Sequence, residues 1–303
     1  MQVEYSVRPG SWAAWCVAAR PASLPLALGP VLLGIALAYY QHAPLSWGLA
    51  LLALLAAVLM QVICNLQNDL GFTERGAERR GQRQGLPRAT AQGWLSYAAV
   101  RWAIRVLSVL ATGLGLLLLV WRGWPVWWLG SASLLAALAY MGGPRPIAYT
   151  PLGELTVLVF FGPVAVLGTQ WLLGGTIDGL SVLAALAIGA LAAAALLVNN
   201  QRDQEHDRLL GRNTLVVCLG SAASLRLFSG LLFGPVLALP VMAWWTGSVW
   251  FLLPCGVLGQ TMKIRRRLGD CQSGADYNQT LFQVFRLELQ FSALLALAAL
   301  IAA

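Results

Sequence analysis

The chain has 303 residues, of which 58% are hydrophobic and 11% charged, with a formal net charge of +8. A soluble globular fold carries roughly 25% charged residues, so this composition excludes a water-soluble domain, a disulfide scaffold, a coiled coil and a disordered chain. A membrane helix consumes about 20 apolar residues, and the apolar complement supplies eight or nine of them.

In chain order, segment 1–20 places Glu4, Arg8 and Arg20 around SWAAWCVAA, a pattern that suits an interfacial helix better than a signal peptide. Apolar runs of spanning length then fall at 22–40, 47–68, 94–121, 125–141, 153–173, 180–200, 223–245, 248–262 and 282–302. The expected fold class is all-α: a polytopic bundle of about nine transmembrane helices forming one domain over 1–303. With the N-terminus inside, 19 of the 20 Lys and Arg lie in inner segments or in the first turns of spans entering from that side; only Arg122 does not. This asymmetry fixes an N-in, C-out topology in a cytoplasmic (inner) membrane with the long polar loops on the cytoplasmic side. The positive charge is then a topology signal, and no nucleic-acid partner is needed. Seven Trp (121, 124, 127, 128, 244, 245 and 250) mark an outer interfacial belt. The five Cys are scattered without metal spacing and read as reduced packing residues, and two His are too few for a metal cluster.

Two inner segments echo each other. The second span runs into CNLQNDLGFTERGAE and the sixth into NNQRDQEHDRLLGR, so Asn-x-x-x-Asp occurs at both exits, as Asn65 with Asp69 and as Asn199 with Asp203. The echoes suggest two pseudo-repeats, roughly 20–141 and 153–262, plus a last helix at 282–302. Residues i and i+4 share a helix face, so each pair projects an amide with a carboxylate, and Asp203 with Asp207 repeats the spacing. Of 12 acidic residues in the chain, six (Asp69, Glu74, Glu78, Asp203, Glu205 and Asp207) sit in these two loops. Such carboxylate sets suit Mg²⁺, which keeps waters and bridges phosphates, and nearby arginines suit bidentate phosphate contacts. A solvated charged loop is the competing reading of the same residues.

These segments resemble the UbiA superfamily of membrane prenyltransferases, in its 1,4-dihydroxy-2-naphthoate polyprenyltransferase branch. The likeness is carried by AARPASLPLALGPVLLG (18–34), QVICNLQNDLGF (61–72), GLPRATAQG (85–93), GGPRPIAYTPLGELTVLVFFGPVAVLGTQWL (142–172) and NNQRDQEHDRLLGRNTLVVCLG (199–220). It implies a helical bundle around a central cavity, a polyprenyl diphosphate donor, an aromatic acceptor and a Mg²⁺ cofactor in a lipid bilayer. By the same resemblance Asp69, Asp203 and Asp207 are catalytic, and Asp69, Glu78, Asp203 and Asp207 hold the metal. Asn65, Asn68, Arg88, Tyr149, Asn199, Arg202 and Arg212 would contact diphosphate or acceptor. Tyr149 is equally a turn residue; Glu154 is expected to be structured by a neighbour or a cap, and Asn278 to match a family position or cap a helix. The sequence departs from the family at Phe72, where an Asp is usual, and Glu78 stands for another Asp, with Glu74 nearby. That leaves a weakly active or non-catalytic homologue, a different acceptor, and a transporter as alternatives.

Overall fold

The computed structural model describes residues 7–77 and 84–303. Lipid cannot satisfy backbone N–H and C=O groups, so a chain this apolar must pair them internally, and all regular structure among the described residues is helical. The helices are α1 (Trp12–Ala19), α2 (Pro25–Tyr40), α3 (Trp47–Glu74), α4 (Tyr97–Arg122), α5 (Trp124–Met141), α6 (Gly153–Val159), α7 (Ala165–Leu172) and α8 (Gly179–Arg202). There follow α9 (Gln204–Leu209), α10 (Leu215–Leu219), α11 (Ser221–Thr246), α12 (Leu258–Asp270) and α13 (Gly274–Ala302).

The nine expected runs fall largely on helical backbone, though the run at 94–121 begins three residues before α4. By length and composition, six described helices are able to cross a membrane, or seven if the bent pair Trp12–Ser23 and Pro25–Tyr40 is one span. The runs expected at 125–141 and 248–262 are not among them: the second begins with a 3-10 segment, Val249–Val257, holding Pro254. The run expected at 153–173 is α6 and α7 joined by a π turn, Phe160–Val164, at Pro163. Proline has no N–H for the i−4 carbonyl, and the helix widens there instead of continuing.

Polar residues close the helix ends. Ser46, Ser96, Asp178 and Ser273 cap α3, α4, α8 and α13, with the side chain accepting from an otherwise orphan backbone N–H. Helix α8 is the central strut: it packs against α6, α11 and α13, and α13 packs against α2. Glycines allow the closest crossing, since a Cβ on Gly189 would lie 2.3 Å from the Leu158 carbonyl oxygen and one on Gly162 2.5 Å from that of Ala185. Small residues at crossings let backbones approach to van der Waals contact where no hydrophobic effect drives association.

The polar connections gather at one end of the bundle. There Arg75 donates to the Gly143 carbonyl, His206 Nε2 lies 2.8 Å from the Ala77 carbonyl oxygen, and Asn213 N–H donates to the Tyr149 carbonyl at 3.1 Å. At the opposite end Gln41 ties the turn before α8 by donating to Asp178 at 2.9 Å and accepting from Thr176 N–H at 2.8 Å.

Candidate active site

A cavity of about 550 Å³ opens between the helices at the polar end. Four arginines line it, Arg20, Arg88, Arg202 and Arg212, together with the amides of Asn65, Asn68, Asn199 and Asn200. No Asp or Glu does so among the described residues. Away from this head the wall is apolar, built from residues such as Leu26, Val31, Leu118, Val126, Trp171 and Leu172. Guanidiniums concentrated at one end of a greasy chamber make a receptacle for an anionic head on an apolar tail.

Arg88, Arg202 and Arg212 are each held by their own neighbours. Arg202, at the end of α8, forms a fork–fork pair with Asp203, Nε to Oδ1 at 2.9 Å and Nη2 to Oδ2 at 2.7 Å. It also donates to Asn199 Oδ1 at 2.8 Å and to Asn278 Oδ1 at 2.6 Å. Asn278 thus fixes a guanidinium rather than capping α13, whose cap is Ser273. Arg212 pairs with Asp207 and donates to the Ala148 carbonyl at 3.0 Å. Both pairs are buried: Asp203 is 3% and Asp207 0% exposed. A bidentate Arg–carboxylate pair locks the plane of the guanidinium, so these acids stand behind the arginines and aim them.

The first motif is used differently. Helix α3 runs on to Glu74 instead of ending near residue 68, because the motif's polar side chains find partners in the bundle. Asn65 Nδ2 donates to the Ala19 carbonyl at 2.8 Å and to Ser23 Oγ at 2.9 Å, fixing the bend where Arg20 adopts φ 51° before Pro21. Asp69 does not line the cavity. Its Oδ2 accepts from Ala89 N–H at 2.8 Å, and its Oδ1 accepts from Thr90 N–H at 2.9 Å and Thr90 Oγ1 at 2.6 Å. The carboxylate therefore anchors the segment that carries Arg88 into the cavity, and Arg88 in turn donates to the Asn68 carbonyl at 2.9 Å. Glu74 pairs with Arg101 at the surface, and Glu205 with Arg208, so neither joins the site. Glu78 lies outside the described residues.

Phe72 takes a place of its own. Its ring has the Arg88 guanidinium 3.8 Å from the centroid and that of Arg212 at 4.6 Å. Tyr149 carries Arg212 at 5.2 Å and Arg75 at 5.3 Å, which makes it a stacking partner of the site rather than only a turn residue. Cations over aromatic faces are attracted by the ring quadrupole. Where the resemblance led one to look for a carboxylate, an aromatic ring contacts two guanidiniums. Sequence reasoning missed Arg20 and Tyr140, which also lines the cavity; an Arg-Pro step at the end of an apolar segment was the available signal for Arg20.

The fold and cavity define a multi-pass helical membrane protein with a central cavity, arginine-lined at one end and mostly apolar elsewhere. The UbiA prenyltransferase family model matches residues 27–287, and the chain belongs to that family. It is 38% identical over 236 residues to the 1,4-dihydroxy-2-naphthoate octaprenyltransferase of Escherichia coli, covering 75% of each chain. It is 38% identical over 223 residues to the enzyme of the same name from Mycobacterium tuberculosis, covering 73% of this chain and 75% of that one. A UbiA homologue from Archaeoglobus fulgidus, solved with GPP and Mg²⁺, superposes with a TM-score of 0.70 at 16% identity over 95% of this chain and 99% of that one. An apo homologue from Aeropyrum pernix gives 0.67 at 16% identity, over 92% and 97%.

Proposed function

We propose that this chain transfers a polyprenyl group from polyprenyl diphosphate to 1,4-dihydroxy-2-naphthoate in a Mg²⁺-dependent reaction, forming the quinol that leads to demethylmenaquinone. One observation carries the reading: four arginines, with no carboxylate among the described residues, line the head of a cavity whose remainder is mostly apolar. The names of the relatives from E. coli and M. tuberculosis support the naphthoate acceptor.

Among the described residues no three of His, Cys, Asp and Glu come together as a ready-made metal cage. Mg²⁺ does not require one, because it binds through one or two carboxylates plus substrate phosphates and water. Asp203 and Asp207, buried, hard-oxygen donors on successive turns beside the arginines, fit that demand. Asp203 and Asp207 would hold the cation once a bound diphosphate drew the guanidiniums of Arg202 and Arg212 away from them. When bound, the cation neutralises charge on the diphosphate oxygens.

The chain's own residues do the rest. Arg20, Arg88, Arg202 and Arg212 neutralise the charge that grows on the departing diphosphate as the allylic C–O bond breaks, an effect magnified where water is excluded. The apolar wall shields the allylic carbocation from hydrolysis. The electron-rich ring then forms the new C–C bond at the carbon bearing the carboxylate, which leaves as CO₂. The charge asymmetry of the loops supports an inner-membrane location with the arginine-lined end toward the cytoplasm. The matching Asn-x-x-x-Asp exits support two pseudo-repeats.

Membranes containing this chain, given Mg²⁺, octaprenyl diphosphate and the naphthoate, are expected to form the prenylated naphthoquinol seen by mass spectrometry, and EDTA abolishes it. Product formed only from another acceptor, such as 4-hydroxybenzoate, overturns the naphthoate assignment. Undiminished product with EDTA overturns the metal.

A further inference from the structure

Glu154 is a buried carboxylate outside the diphosphate head. It lies in the first turn of α6, 4% exposed. Its Oε1 accepts from Asn200 Nδ2 at 2.8 Å, while its Oε2 is buried with no hydrogen-bond partner among the described residues. Asn200 is on α8, two residues before Arg202, and lines the cavity. With Nδ2 turned to Glu154, Asn200 keeps its carbonyl oxygen Oδ1 without a donor among the described residues. The carboxyl oxygen Oε1 takes a donor from an amide that both donates and accepts, so Glu154 holds the amide with Nδ2 toward itself.

The surroundings fit a flat, apolar guest. Tyr140, Val157, Phe160 and Phe161 line the cavity on this side. A Cβ on Gly153 would stand 3.7 Å from the Tyr140 hydroxyl, which places that ring against the turn carrying Glu154.

We propose that Glu154 is a positioning residue for the acceptor: it holds the Asn200 amide so that Oδ1 takes the hydrogen bond of a hydroxyl on the aromatic substrate, an inference that rests on the aromatic-acceptor reading above. The site then selects rings that carry a free O–H, and it fixes the ring's register against the prenyl group.

The test is direct binding to the purified full-length protein under argon, with 1,4-dihydroxy-2-naphthoate and its 1,4-dimethoxy counterpart as probes. The wild type is expected to prefer the dihydroxy compound about tenfold, as for a buried acceptor left without its donor. In Glu154→Gln the new amide can donate to Asn200 and turn it, so the cavity meets an NH₂ instead. The preference then collapses to about twofold or less, with affinity for a prenyl thiodiphosphate unchanged. Should this variant not fold, Glu154→Leu with Asn200→Leu removes both partners, leaves no unpaired charge, and is expected to abolish the preference in the same way. Retained preference in the variants, or parallel loss of thiodiphosphate binding in Glu154→Gln, overturns the proposal. Equal affinity of the wild type for the two probes also overturns it but leaves the aromatic-acceptor reading standing; binding of neither probe defeats both.

Discussion

Replacing Asp69 by Asn separates an anchoring role from a metal-binding one. The wild-type carboxylate accepts three hydrogen bonds from the loop that carries Arg88: two backbone N–H groups at 2.8 and 2.9 Å and the Thr90 hydroxyl at 2.6 Å. An Asn retains one oxygen, but its amide nitrogen cannot accept from Ala89 N–H. The variant therefore loses one bond to a charged acceptor, worth about 1.5–3 kcal/mol, and weakens the others, for a total near 2–4 kcal/mol. That converts to roughly 30- to 700-fold in the opening equilibrium of the loop. Hydrogen exchange read by mass spectrometry on peptides covering residues 84–95 is expected to speed up by that factor, while the core of α8 stays protected. Diphosphate affinity falls as a consequence, because Arg88 is no longer held. Intact protection of 84–95 combined with loss of Mg²⁺-dependent diphosphate binding would refute this reasoning and return Asp69 to the metal.

Phe72→Leu keeps an apolar side chain but removes the ring beneath Arg88 and Arg212, and two cation–π contacts at about 0.5–2 kcal/mol each predict a loss of roughly 5- to 700-fold in prenyl thiodiphosphate affinity by calorimetry. Unchanged affinity contradicts an organising role for the ring. Gly189→Ala places a methyl 2.3 Å from the Leu158 carbonyl oxygen; overpacking of this kind costs about 1–3 kcal/mol, so the unfolding midpoint in detergent is expected to drop, and an unaltered midpoint contradicts the close crossing. Arg208→Ala breaks only an exposed pair with Glu205, whose side chain is 81% exposed. Such pairs contribute little, so activity and stability should stay within measurement error, and a large loss would place the pair in the site.

The spacing of residues made much of this architecture legible. Apolar runs located the helices, and the echoed Asn-x-x-x-Asp brought both motifs to the same end of the bundle. What spacing does not give is the partner across the gap. Asn65 with Asp69 and Asn199 with Asp203 are the same pattern, yet one pair ties backbone at Ala19 and Ala89 while the other holds Arg202. The acids of RDQEHDR likewise divide by helix rotation, Asp203 and Asp207 turning inward and Glu205 to the surface. Phe72 read as a lost ligand because its meaning depends on two arginines 16 and 140 residues away in sequence, at positions 88 and 212. Pro163 within the run 153–173 was a visible signal for the π turn at the cavity wall.

The central claim is that the arginine-lined head binds the donor diphosphate with a divalent cation on Asp203 and Asp207. A structure of the protein with Mg²⁺ and a polyprenyl thiodiphosphate tests it most directly. The diphosphate is expected within hydrogen-bond reach of Arg20, Arg88, Arg202 and Arg212, with the cation between it and the two aspartates and the tail running toward Trp171 and Leu172. A diphosphate bound away from these arginines, or a cation held without Asp203 and Asp207, would contradict it.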